Sequence, residues 1–216
     1  MRFSQSRAWS CFVRYLAAVG LAVGSASAAA ETAAELLARA DSDRALQETL
    51  AAEGGKAAFF CANCHGEAGI SKFPNVPNLA GQHPVYVLNQ IEAFLSGLRK
   101  DEFMQGLMKV LNEREKASIA LMYSTRPVPP FAAPGPRAAA GEKLFLQHCA
   151  RCHMGDAHGA KDFPRLAGQQ PEYLRLSLKR YLTQSGERFY APMTAAVMQL
   201  GERNIDAVVD YLSTRP

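Results

Sequence analysis

Two pentapeptides carry the side chains able to do chemistry: Cys61-Ala62-Asn63-Cys64-His65 and, 88 residues later, Cys149-Ala150-Arg151-Cys152-His153. A C-x-x-C-H run has the spacing of a covalent c-type haem attachment site. Two thiols separated by two residues reach the two vinyl groups of one porphyrin, and the adjacent imidazole is carried beneath the ring towards the iron. The same residue types also suit zinc, but two copies set in the same longer pattern favour porphyrin. Two covalently bound haem c groups are therefore expected, on Cys61 and Cys64 with His65 as iron ligand, and on Cys149 and Cys152 with His153.

What fills the sixth iron position separates an electron carrier from a catalyst or gas sensor. Downstream of the first motif the candidates are Met104, Met108 and Met122; downstream of the second they are Met193 and Met198. Both halves close on Ser-Thr-Arg-Pro, at 124–127 and 213–216, and Met104 and Met193 each lie 20 residues before that serine. They also lie 39 and 40 residues after their histidines, and no other methionine pair coincides in this way. Met104 and Met193 are expected to ligate iron, and Met108, Met122 and Met198 to fill space. His83, His148 and His158 have no partner in register and are expected to be surface or loop residues.

The elements that must position these groups repeat as well. The loop after the first motif ends Pro77-Asn78-Leu79-Ala80-Gly81-Gln82, and the second ends Pro164-Arg165-Leu166-Ala167-Gly168-Gln169, an offset of 87. The proline is placed for its carbonyl to accept the Nδ1 proton of the ligating histidine and orient the ring. Leu88, Ile91, Leu95 and Leu98, and later Leu174, Leu178 and Leu182, recur at helical spacing and predict an amphipathic helix in each half. A closing helix is predicted over 113–123 and over 202–212. Residues 127–136 hold five prolines in ten and read as a semi-rigid linker. The repeat thus predicts an all-α chain of two tandem haem-binding domains, 54–126 and 138–216, joined by a Pro-rich linker over 127–137. A helical extension over 31–53 precedes them, with its break at Gly54-Gly55.

The first 30 residues read as a cleaved signal peptide. Arg2, Arg7 and Arg14 precede an apolar run over 15–23 and then small residues that suit cleavage after Ala28 or Ala30. The run is far below the roughly 20 residues a membrane span needs. Export agrees with the cysteine usage: Cys11 leaves with the leader and the mature chain keeps four thiols, all assigned to haem, with none left for a disulfide or a cysteine iron ligand. Three of the 24 basic residues leave too, so 21 remain against 20 acidic ones and the polypeptide falls from +4 to +1. That balance, without a basic run, argues against nucleic acid as a partner. Arg99-Lys100 and Lys179-Arg180 are expected to be solvated helix surface.

The two C-x-x-C-H units, each followed by a Pro-x-Leu-Ala-Gly-Gln loop, a long helix, a methionine and a closing helix, resemble the dihaem cytochromes c of the cytochrome c4 family over residues 54–216. The resemblance implies two small cytochrome c domains about an approximate two-fold axis, their haem propionate edges facing each other. It also implies a periplasmic electron carrier of the respiratory chain, with His65/Met104 and His153/Met193 as axial pairs, that accepts electrons from a donor complex and delivers them towards a terminal oxidase. Peripheral membrane association is common in the family. The alternative is the electron-accepting subunit of a periplasmic dehydrogenase. A dihaem peroxidase needs an open iron, which the paired methionines argue against, so no residue is expected to be catalytic and the chain is expected not to be an enzyme.

Overall fold

The computed structural model describes residues 30–129 and 135–216. The expected leader, except Ala30, and the centre of the expected linker, 130–134, lie outside the described residues. Six helices form the first half: α1 (Ala33–Ala40), α2 (Arg44–Ala57), α3 (Ala62–His65), α4 (Pro84–Ser96), α5 (Glu102–Met108) and α6 (Glu113–Ser124). Five form the second: α7 (Ala138–His148), α8 (Ala150–His153), α9 (Pro171–Thr183), α10 (Ala191–Leu200) and α11 (Ile205–Leu212). Among the described residues there is no β-strand, and the architecture is all-α, as the sequence predicts.

One helix, α2, crosses the expected boundary between extension and first domain. Gly54-Gly55 was expected to interrupt the chain, but α2 runs straight through both. The reason is a close helix crossing: a Cβ on Gly54 would run into the Ser118 carbonyl and the Met122 Cβ of α6. In the second half Gly141 of α7 meets the Ala207 carbonyl and the Tyr211 Cβ of α11 in the same way. Gly54 and Gly141 are 87 residues apart, so α2 and α7 are the same element of the repeat. Each glycine gives up roughly 1 kcal/mol of helix propensity and lets two backbones approach where any side chain would hold them apart. Only α1 is extra. Thr32 and Glu35 cap it reciprocally, each side chain accepting from the other's backbone N–H. Its Leu36, Leu37 and Ala40 join Val87, Leu88, Ile91, Phe94 and Leu121 in one core cluster.

The other differences have local causes. α4 stops at Ser96 because Gly97 takes a left-handed conformation, φ +77°. Leu98 therefore falls outside the apolar stripe and is 57% exposed. The second closing helix begins as a 3-10 turn, Glu202–Asn204, before α11. In the first half Asn112 caps α6 by accepting from Glu115 N–H. Gly201 stands at the equivalent position with no side chain to offer, so the opening turn tightens to satisfy its own backbone. α5 and α10, which carry Met104 and Met193, are too short and too weakly patterned to be read from periodicity. Phe145, Leu174, Leu200, Ile205, Val208, Val209 and Leu212 form the core of the second half.

Two adjacent glycines provide a test of the crossing. Gly54→Ala is expected to destabilise the protein by about 1–3 kcal/mol through overpacking. Gly55→Ala, where an added Cβ meets nothing within 4 Å, is expected to stabilise it by up to about 1 kcal/mol. Denaturant unfolding of the two variants checks the opposite signs.

Candidate haem centres

Each C-x-x-C-H motif winds into a single helical turn. In α3 the His65 N–H donates to the Cys61 carbonyl at 2.8 Å, and in α8 the His153 N–H donates to the Cys149 carbonyl at 3.1 Å. Both imidazoles are thereby carried inward and buried. Nδ1 of His65 lies 2.9 Å from the Pro77 carbonyl, and Nδ1 of His153 lies 3.0 Å from the Pro164 carbonyl. A carbonyl only accepts, so Nδ1 carries the proton and Nε2 presents its lone pair. The orienting role expected of the two prolines is what the backbone shows. Burial, opposed by the proline carbonyls, lowers the pKa of both histidines and holds the rings neutral, the form that binds a metal.

Nε2 of His153 is buried and makes no hydrogen bond. An acceptor left in that state costs roughly 1–3 kcal/mol, a cost removed when the lone pair goes to a metal. The ring opens on a cavity of about 350 Å³ that Cys149, Cys152, Met193, Leu174, Leu178, Val197, Leu200 and Val208 also line. Paired thiols, an imidazole lone pair, a thioether and aliphatic walls in one cavity fit a porphyrin bound by its edge. The four thiols of the two motifs are partly buried. Burial raises the pKa of Cys61 and takes that of Cys149 up to about 11.

The methionines separate by position. Met104 sits in the first turn of α5, where Asp101 accepts its N–H at 2.9 Å, and it is partly buried against the α1–α4–α6 core. Met193 stands at the equivalent point of α10 and lines the cavity. Met108 and Met122 are buried among apolar side chains, as expected of gap-fillers, while Met198 is exposed. His83 and His158 are tied to the backbone: Nε2 of His83 reaches the His158 carbonyl at 2.8 Å, and Nε2 of His158 reaches the Pro216 carbonyl at 2.8 Å. His148 is half-buried at the rim of the cavity.

The cavity extends across the contact between the halves to Tyr86, Gln90 and Arg99. Arg99 was expected on solvated surface; it is instead half-buried, stacked over Phe94 at 4.5 Å and donating to Gln90 Oε1 at 2.9 Å and to the Tyr173 hydroxyl at 3.1 Å. Arg188 mirrors it, stacked over Tyr181 at 5.2 Å and donating to the hydroxyls of Tyr86 at 2.7 Å and Tyr173 at 3.0 Å. Burial would push the Tyr173 phenol up, but the Arg188 and Arg99 guanidiniums outweigh it and hold the phenol below its ordinary range. Among the described residues neither arginine has a carboxylate partner. Two such cations beside a cavity suit a group that brings its own carboxylates, as haem does.

The sequence reading missed Arg188, Tyr86 and Tyr173. It also gave no role to Gln82 and Gln169, although both recur in register. Gln82 accepts the Arg165 N–H at 2.8 Å and donates to the Arg165 carbonyl at 3.0 Å. Gln169 treats Asn78 in the same way, at 2.7 and 3.0 Å. The preserved glutamine in each loop was the available signal.

A cytochrome c family model matches residues 138–216. Cytochrome c4 from Thiocapsa roseopersicina is 34% identical over 172 residues, covering 73% of this chain and 88% of the relative. The chain belongs to the cytochrome c4 family. The crystal structure of reduced recombinant cytochrome c4 from Pseudomonas stutzeri superposes with a TM-score of 0.70 at 28% identity, over 77% of this chain and 98% of that one. A thiosulfate dehydrogenase electron acceptor from Thiomonas intermedia is 30% identical, covering 72% and 78% of the two chains. As a cytochrome c4 family member the protein is a dihaem electron-transfer cytochrome, with two tandem cytochrome c domains and two covalently bound haem c groups.

The mirrored arginines yield a prediction. Arg188→Leu removes hydrogen bonds to Tyr86, Tyr173, Ser177 and Gln90 in a buried site. With charged hydrogen bonds contributing roughly 1.5–3 kcal/mol each, a loss of at least about 2 kcal/mol is expected in denaturant unfolding.

Proposed function

We propose that the protein is a periplasmic carrier of single electrons whose two irons are both closed by protein ligands. Cys61 and Cys64 hold one haem by thioether bonds while His65 and Met104 ligate its iron; Cys149, Cys152, His153 and Met193 do the same for the second. The observation that carries this reading is the buried, unpartnered Nε2 of His153 in a cavity shared with Cys149, Cys152 and Met193. Haem c supplies a one-electron ferric–ferrous couple. His65 and His153, fixed by Pro77 and Pro164, would each present one orientation of imidazole to the iron, and the soft sulfurs of Met104 and Met193 would favour its ferrous state. Irons held in this way would offer no coordination site to a substrate, and the protein would act as a carrier and not as an enzyme.

The leader read over residues 1–30 supports export to the periplasm, where covalent haem attachment of this kind belongs. Among the described residues no helix is long and apolar enough to cross a membrane, and peripheral membrane association fits this reading. The partners are redox proteins: a donor complex on one side and a terminal oxidase on the other. A second reading, the electron-accepting subunit of a periplasmic dehydrogenase, is favoured by the thiosulfate dehydrogenase electron acceptors among the relatives.

Reduced wild-type protein is expected to show two c-type haems and no spectral change under carbon monoxide. Met104→Ala and Met193→Ala are each expected to make one ferrous haem bind carbon monoxide and to lower its reduction potential. Spectroscopic redox titration checks both, and native potentials in the two variants would overturn the ligand assignment.

A further inference from the structure

The peptide bond between Pro77 and Asn78 is engaged at both ends. Its oxygen accepts from His65 Nδ1 at 2.9 Å, and its N–H donates to Gln169 Oε1, in the other half of the molecule, at 2.7 Å. The Pro164–Arg165 peptide is engaged identically: its oxygen accepts from His153 Nδ1 at 3.0 Å, and its N–H donates to Gln82 Oε1 at 2.8 Å. Gln82 and Gln169 are 5% and 6% exposed, so the two bonds are held largely out of water, that of Gln169 fully buried and that of Gln82 partly so.

We propose that Gln82 and Gln169 are positioning residues for the iron of the opposite half, each setting the donor strength of the other half's axial histidine through one polarised peptide. The inference rests on the reading of His65 and His153 as iron ligands. A hydrogen bond accepted from a peptide N–H draws electron density towards the carbonyl oxygen, and in a low-dielectric setting such chains strengthen one another by about 10–30% per bond. The Pro77 oxygen then pulls harder on the His65 proton. The ring gains imidazolate character and becomes a better donor, which favours ferric iron. Gln169 in the second half thus lowers the potential of the first haem, and Gln82 in the first half lowers that of the second.

A neighbouring residue separates this role from simple interface adhesion. Gln170 is equally buried and crosses the same interface, donating to the Ser71 carbonyl at 3.0 Å, without touching the Pro77–Asn78 peptide through its side chain. Gln169→Met keeps length and volume but removes the acceptor. It is expected to raise the potential of the haem on Cys61 and Cys64, to leave the other haem at its wild-type potential, and to move the His65 Nδ1 proton resonance of the reduced protein upfield. Gln82→Met is expected to do the reverse, and Gln170→Met to shift neither potential. Gln169→Asn, an amide one methylene too short, is expected to reproduce the Gln169→Met shift and serves if the methionine variant does not fold.

Potentials are read by redox titration with each haem followed through its own paramagnetic NMR signals. A Gln169→Met or Gln169→Asn shift on the second haem, on neither haem, or matched by Gln170→Met would overturn the proposal. Failure of the ligand reading would appear separately, in wild-type protein whose ferric haems show no paramagnetically shifted NMR resonances of an iron-bound imidazole.

Discussion

The rest of the structure depends on an imidazole taken out of water with one nitrogen committed to a proline carbonyl. Burial favours the uncharged ring and the carbonyl fixes the tautomer, so the remaining nitrogen presents a lone pair, which in His153 faces the cavity. Each neighbouring element serves that arrangement. The one-turn helices α3 and α8 lift the histidine inward, the Pro-x-Leu-Ala-Gly-Gln loop brings the carbonyl beneath it, and the glycine crossings let α2 and α7 lie close enough to α6 and α11 to present the motif at the right depth.

The contact between the halves is polar and reciprocal. Arg99 and Arg188 stack on aromatic rings at equivalent positions of α4 and α9 and reach across to hydroxyls and an amide, without an acidic partner among the described residues. Half-buried cations of this kind are costly unless paired, and here they are met by the hydroxyls of Tyr86 and Tyr173 and the Gln90 amide. The surroundings of the cavity are therefore electropositive, which suits both an anionic cofactor and the ferrous state of its iron.

The chemistry was legible in the sequence because it is written in fixed spacings that occur twice. The pentapeptides, the prolines beneath the histidines and the long helices α4 and α9 could all be placed, since attachment, orientation and amphipathic packing each leave a pattern. The proposed ligands Met104 and Met193 were singled out by register alone, while the short helices carrying them were not. Gly54 was misread because a glycine that breaks a helix and one that admits a neighbouring helix look alike until the neighbour is known; Gly141, in register with it, was the clue. Arg99 was taken for solvated surface because its partners, Tyr173 and the mirrored Arg188, come from the other half of the chain, and no local pattern reports contacts 74 or more residues away.

The glutamine exchange bears on how a duplicated sequence ages. Positions that serve only their own half have drifted: Asn112 faces Gly201 as a helix cap, and the left-handed turns at Gly66 and Gly69 are held by Met154 and Ala157 in the other copy. Gln82 and Gln169 each serve the copy they do not belong to, so neither half can lose its glutamine without loss to its sister. The two halves are bound to a common inheritance at that loop, and a single half excised from the chain would leave behind part of its own histidine support.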